Sequence, residues 1–340
     1  MPTTPSQLPS PSIPWWLWLN VLSLDAPIVA LLWQESLSRC YHVKLTSGCH
    51  LTLGLAVWLI YLVDHTLDSL AKTKTQHLSL RHAFYRRNRR LFIWLVIPAV
   101  TTVVVLLALF AIPAGIMWRG VALAFLVGLY LLHYAARPHR RVYIFGNLLL
   151  CTAGLGIVTL LPLAQSYKLF LGGALGMLAM LSFGQTGGGN SRMPPKELLC
   201  GYLFAVGCSL GVSFYTMDHF ANPLSPETFM LGLLFSLNCI AISCYERNSD
   251  ASFDPDAICQ SWPGIMRVYP VLLLTLAVVS AGVLHLRVPV ESLHLALAVL
   301  SGTLLLGALH LFARRLRPDL SHVLADAAVA LPILVIMVIA

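Results

Sequence analysis

The chain is 340 residues long, 58% hydrophobic and only 11% charged, with 22 Lys and Arg against 14 Asp and Glu and a formal charge of +8. Soluble domains average roughly 45–50% apolar and about 25% charged residues, so a string of water-soluble domains is excluded. In a chain this apolar, positive charge reports membrane orientation first, and no nucleic-acid partner is expected.

Residues 1–14, MPTTPSQLPSPSIP, carry no Lys or Arg to serve as a secretory n-region and read as a short disordered tail. Beyond them, apolar runs recur. Crossing a hydrocarbon core of ~30 Å takes about 20 helical residues, and runs of that kind lie at 15–37, 49–71, 91–111, 114–134, 142–163, 168–184, 197–217, 226–244, 268–286, 290–313 and 321–340. Each is expected to be a helix, because lipid offers no partner to an open backbone and none of the runs alternates as a barrel strand would. The fold class is therefore all-α and polytopic, with about eleven transmembrane helices in a single domain over 15–340. No room is left for a water-soluble catalytic domain, so any chemistry sits in the membrane or at its surface.

If the spans alternate in direction, seventeen of the 22 Lys and Arg fall on one side. Arg39, Lys44, Lys168 and Arg287 fall on the other, with Arg119 near the outer end of the fourth span. Lys and Arg concentrate on the cytoplasmic side, which places the N-terminus and every connection on the basic side in the cytoplasm of a cell-membrane protein. The short span 168–184 carries Gly172, Gly173 and Gly176, suited to close helix packing.

The scarce acids gather at two places on that basic side. In LIYLVDHTLDSLAK, Asp64 and Asp68 stand four residues apart and project from one face as the second helix leaves the membrane. In CYERNSDASFDPD, after the eighth span, Glu246, Asp250 and Asp254 repeat every four residues, with Asp256 beyond. Like charges at this spacing repel, and carboxylates at a helix C-terminus oppose the macrodipole, so helix stability does not explain them. A divalent cation does: magnesium takes one or two carboxylates, several waters and the phosphate oxygens of a substrate. The plainer alternative is a solvated boundary, with Lys72, Lys74 and Arg247 near enough to pair with these acids. Two clusters on one side favour a shared site. The connection KTKTQHLSLRHAFYRRNRR between the second and third spans is rich in groups that neutralise phosphate oxygens, and Arg81 and Arg86 are the chosen contacts.

These residues carry a likeness: YLVDHTLD and ERNSDASFD, in the order LNVLSLDAPIVALLW, HYAARPHRR and PKELLCGYLFAVG, make the chain resemble the UbiA-type intramembrane aromatic prenyltransferases. The resemblance spans most of the chain. It implies a ring of nine helices around an apolar cavity, and Mg2+ held by Asp64, Asp68, Glu246, Asp250 and Asp254. It also implies an allylic prenyl diphosphate that ionises and a small aromatic or lipid-like acceptor that attacks the cation, with Asp64, Asp68, Asp250 and Asp254 serving catalysis. Two positions depart from the family pattern: Ile60 stands where an Asn is usual, and Glu246 where Asp is commoner. Eleven spans against nine suggest an added hairpin, residues 142–184.

Further residues follow from depth. Asp25 lies within the first apolar run, where an ionisable group marks a functional candidate; with Pro27 breaking the helix locally it is a candidate contact for the acceptor, the alternatives being a buried hydrogen-bonded acid or a span that starts later. Asn238, two turns before Glu246, is expected in the same pocket or in an interhelical hydrogen bond. Among twelve histidines, including His285, His294, His310 and His322, no spacing indicates a metal or haem; only His65, between the two acids, is a candidate ligand or acid–base group. The eight cysteines lack CxxC spacing and read as buried small hydrophobes. Two other classes stay in view: a transporter binding cations or protons through its acids, and a UbiA-like homologue without catalysis.

Overall fold

The structure, a computed structural model, describes residues 13–70, 80–134, 140–186, 195–245, 257–285 and 290–339. They are helical throughout, and no strand occurs among the described residues. A turn at Trp15–Leu17 leads into α1 (Trp18–Val21), followed by α2 (Asp25–Cys40), α3 (Ser47–Leu70), α4 (Leu80–Phe110), α5 (Ala114–Tyr134), α6 (Arg140–Leu160) and α7 (Gln165–Thr186). Then come α8 (Lys196–Tyr215), α9 (Pro226–Tyr245), the short α10 (Ile258–Ser261), α11 (Ile265–His285), α12 (Val290–Phe312) and α13 (Pro318–Ile339).

Among the described residues, seven helices are long and apolar enough to cross a membrane: α3, α4, α5, α8, α9, α11 and α12. This is the architecture of a multi-pass membrane protein. Trp94, Phe110, Leu155, Leu274 and Leu304 are exposed on the sides of the bundle, as lipid-facing residues are. The expected first span is not one straight helix, because α1 and α2 meet at 78°. The break falls at 22–24, before Pro27, which sits in the first turn of α2 where no backbone N–H is needed. Ser23 adopts a left-handed backbone, φ 56°, while the Leu24 N–H returns to the Leu19 carbonyl at 2.8 Å and Trp58 Nε1 of α3 donates to the Leu22 carbonyl at 2.9 Å.

The third span also begins earlier than its apolar run. Residues 80–91, expected as part of a basic connection, are the first turns of α4, and a π-helical stretch at Phe92–Val96 joins them to the apolar part. The sequence LRHAFYRRNRRL buries His82 and Tyr85, one turn apart, while Arg86, Arg87, Arg89 and Arg90 stay exposed. Tyr85, stacked on Phe92 of its own helix at 4.6 Å, is buried in a cluster with Leu62, which fixes this basic helix to α3.

The centre of the bundle is α9, two-thirds of whose apolar window (67%) is buried against 11% for α4. Around it α2, α8, α12 and α13 supply the main core, with Trp33 of α2 fully buried edge-on to Phe235 and donating through Nε1 to the Val329 carbonyl of α13 at 3.0 Å. The hairpin α6–α7 packs on α5 and α8 through Leu163, Tyr167, Leu171 and Leu175. At the outer end of α5, Arg119 forms a bidentate pair with Asp218, 2.8 Å at each contact, with its guanidinium over the rings of Tyr167 and Phe214.

The pair α8–α9 approaches closely because small residues face each other. A Cβ on Gly201 would stand against the backbone nitrogen of Ser236, and one on Gly232 would press the Tyr202 ring. Ser236 Oγ, in turn, donates to the Gly232 carbonyl at 2.7 Å and reaches the Leu198 carbonyl at 3.2 Å. Gly201→Ala is therefore expected to force α8 and α9 apart and cost about 1–3 kcal/mol, read as a lower melting temperature in detergent. Gly207→Ala, whose Cβ would meet only Leu123 and Leu53 at ordinary contact distances, is expected to leave the melt unchanged.

Candidate functional site

One end of the bundle collects the polar residues that the helices carry at their tips. The ends of α3 and α9 lie there beside the starts of α2, α4, α8 and α13, enclosing a cavity of about 180 Å³. From α3 come Asp64, His65 and Asp68, three residues that the heptad-like spacing DHTLD places on one side of the helix. Arg81 and His82 face them from α4, and His82 Nε2 stands 4.0 Å from Asp68 Oδ2. Lys196 and Glu197 enter from α8. Asp25 of α2, Asn238 of α9, and His322 and Asp326 of α13 complete the wall opposite.

Local bonds hold several of these in place. The bend before α2 turns Ser23 inward, so that its Oγ lies 2.9 Å from both His65 Nδ1 and the Tyr85 hydroxyl. Asn20 Nδ2 donates to Asp25 Oδ2 at 2.8 Å, and the Ala26 N–H to Asp25 Oδ1 at 3.0 Å. Asn238 Nδ2 donates to Asp326 Oδ1 at 2.8 Å. Glu197, buried, accepts the Ile258 N–H at 2.9 Å through Oε1 and so caps α10, while Cys259 Sγ donates to the Ser243 carbonyl at 2.9 Å. These two contacts bring Tyr245 and Ala257, the residues on either side of 246–256, close to the cavity rim.

Among the described residues, five acids, Asp25, Asp64, Asp68, Glu197 and Asp326, line the cavity with two fixed cations, Arg81 and Lys196, a formal excess of three acids. A lone anion entering such a space would be repelled, whereas an anion accompanied by divalent cations would be balanced.

Next to it lies a second chamber of about 350 Å³, lined by apolar side chains from α3, α4, α5 and α8, among them Val57, Ile60, Val104, Leu123 and Phe204. The two share a wall: Tyr61, Tyr130 and Cys200 line both. Val105 and Val121 line the apolar chamber and are themselves exposed, so it reaches the side of the bundle between α4 and α5.

No protein-family model, curated protein or solved structure matches this chain.

Of the residues chosen from sequence, the structure brings together Asp64, Asp68, His65, Arg81, Asp25 and Asn238 in one cavity. Asn238 does both things expected of it, lining the pocket and bonding another helix. Arg86 is not part of the lining; five residues turn a helix by about 500°, which leaves it roughly 140° round from Arg81 and exposed. Asp25 is not deep within a straight span but opens α2 at the cavity, because the chain bends before it. Glu246, Asp250 and Asp254 lie outside the described residues. Five further ionisable residues of the lining are not marked by any sequence motif: His82, Lys196, Glu197, His322 and Asp326. The last two stand at i and i+4 on α13, with His322 Nε2 3.6 Å from Asp326 Oδ2, a spacing as regular as that of Asp64 and Asp68.

Ser23→Ala is expected to lower stability by about 1–3 kcal/mol, since it strips a partner from two buried polar groups, His65 and Tyr85. Ser23→Gly, which suits the left-handed backbone, should lose less. Thermal melts of the two variants in detergent check the order.

Proposed function

We propose that this protein is a magnesium-dependent intramembrane prenyltransferase of the UbiA type. In this reading it transfers a prenyl group from an allylic diphosphate to a small aromatic or lipid-like acceptor. The observation that carries the reading is the pairing of an acid-rich polar cavity at one end of the bundle with an apolar chamber that shares its Tyr61, Tyr130 and Cys200 wall. An amphiphile with a highly charged head and a long apolar tail has the same division. The chamber's 350 Å³ falls within the range of about 300–1,000 Å³ usual for small-molecule sites.

The donor set fits magnesium. Asp64 and Asp68 offer hard carboxylate oxygens from one helix face, and the cavity's excess negative charge requires cations before any diphosphate can enter. In the proposal Glu246, Asp250 and Asp254 add ligands from the segment between Tyr245 and Ala257. Magnesium, when bound, supplies charge that favours departure of the diphosphate. Arg81 and Lys196 neutralise phosphate oxygens left uncovered. The C–O bond breaks with its electron pair leaving on the diphosphate; the acceptor's electrons form the new bond to the allylic carbon and the acceptor gives up a proton. Val57, Ile60 and Phe204 keep water from the cation. Entry from the side, past Val105 and Val121, suits substrates dissolved in the bilayer.

The proposed arrangement includes eleven spans, the bent α1–α2 as the first, with nine forming the ring and α6–α7 the added hairpin. By the distribution of Lys and Arg, the polar cavity opens to the cytoplasm of a cell-membrane protein.

Purified protein in detergent is expected to bind farnesyl or geranylgeranyl diphosphate only with magnesium, with affinity lowered at least tenfold in Asp64→Asn and in Asp68→Asn. Equal binding with and without magnesium, or in the variants and the native chain, contradicts the assignment. Gly207→Phe, which fills the apolar chamber, should weaken geranylgeranyl diphosphate more than a short-chain allylic diphosphate, checked by competition binding.

A further inference from the structure

The cavity holds a second group of donors, distinct from the pair on α3. Asp25, His322 and Asp326 each offer one ligand atom, and these atoms lie within 4.8 Å of one another. They come from opposite ends of the chain, α2 and α13, and chemistry rather than sequence proximity unites them. Asp25 is oriented by Asn20 and by the Ala26 N–H, and Asp326 by Asn238, so both carboxylates are fixed before any ligand arrives.

A separate observation points to a ligand. Asn238 is 7% exposed, its Nδ2 is committed to Asp326, and its Oδ1 is buried without a hydrogen-bond partner. Buried amide oxygens are nearly always satisfied, and Asn238 is among the residues that line the same cavity. A hard carbonyl oxygen, two carboxylates and an imidazole form a mixed oxygen–nitrogen set. Magnesium prefers oxygen alone, whereas an imidazole selects first-row transition ions such as Mn2+, Fe2+, Co2+ or Zn2+.

We infer that Asp25, His322 and Asp326, with Asn238 Oδ1 as a fourth donor, form a binding site for one divalent first-row transition ion in the wall of the polar cavity. The inference is independent of the prenyl diphosphate reading, since it needs no substrate. The ion would offset two of the three excess negative charges and brace α2 against α9 and α13 at the cavity wall.

The test uses the full-length protein in detergent, stripped with a chelator and titrated with Mn2+ alone, no diphosphate being present. At least one equivalent is expected to bind, and spin-echo spectroscopy of the loaded protein should show a directly coordinated nitrogen. His322→Gln should abolish that nitrogen signal, while His82→Gln and His65→Gln keep it. Asp326→Asn, close to isosteric, should weaken Mn2+ by ~100-fold, the scale on which altered coordination lowers metal affinity. Asp64→Asn, which alters only the carboxylate pair on α3, should keep the nitrogen signal. A folded, monodisperse native protein that binds no Mn2+ overturns the inference. So does a nitrogen signal that survives His322→Gln, or one lost in Asp64→Asn and kept in Asp326→Asn. None of these failures touches the magnesium dependence of diphosphate binding, which is read with Asp64→Asn and the prenyl ligand.

Discussion

Everything distinctive about this molecule follows from concentrating carboxylates in a confined space at one end of an apolar bundle. Two fixed cations do not balance five acids, and with so little water around them the imbalance is felt more strongly than it would be on a surface. Such an arrangement opposes folding unless counter-charge arrives. In the proposed function the cavity takes cations first, and anions in their company.

Packing around this constraint has a consistent logic. The helix α9 runs through the middle and carries Asn238 to the cavity, while Gly201, Gly232 and Ser236 let α8 lie close enough to bring Lys196, Glu197 and Cys200 to the same place. The bend between α1 and α2 serves the site twice. It delivers Asp25 to the wall, and it turns Ser23 toward His65 and Tyr85, tying the basic first turns of α4 to the acidic last turns of α3. At the far end, the pair Arg119–Asp218, clamped by Tyr167 and Phe214, joins the α6–α7 hairpin to the bundle. The polar cavity and the Arg119–Asp218 pair therefore lie at opposite ends of α5.

Much of this was legible in the residues. The apolar runs located nearly every long helix, and the i, i+4 spacing of Asp64 and Asp68 located one wall of the cavity, because both signals depend on local periodicity. Signals failed where geometry depended on distant partners. Asp326 and His322 lie in the last apolar run, and only tertiary packing sets them against Asp25, some 300 residues away. The bend at Ser23 escaped notice because Pro27 offered a more obvious break, although a proline in the first helical turn breaks nothing. Residues 80–91 read as a loop through their charge, yet His82 and Tyr85 recur at helical spacing and find a buried face on α3.

The central claim is that the charged head and apolar tail of one ligand divide between the two cavities. It is tested most directly by an experimental structure of the protein with magnesium and a non-hydrolysable allylic diphosphate analogue. The account predicts phosphate density between Asp64, Asp68 and Arg81, with the hydrocarbon passing Tyr61, Tyr130 and Cys200 into the chamber beside Ile60 and Phe204. Density for the head group outside the polar cavity, or a tail directed away from that shared wall, would contradict it.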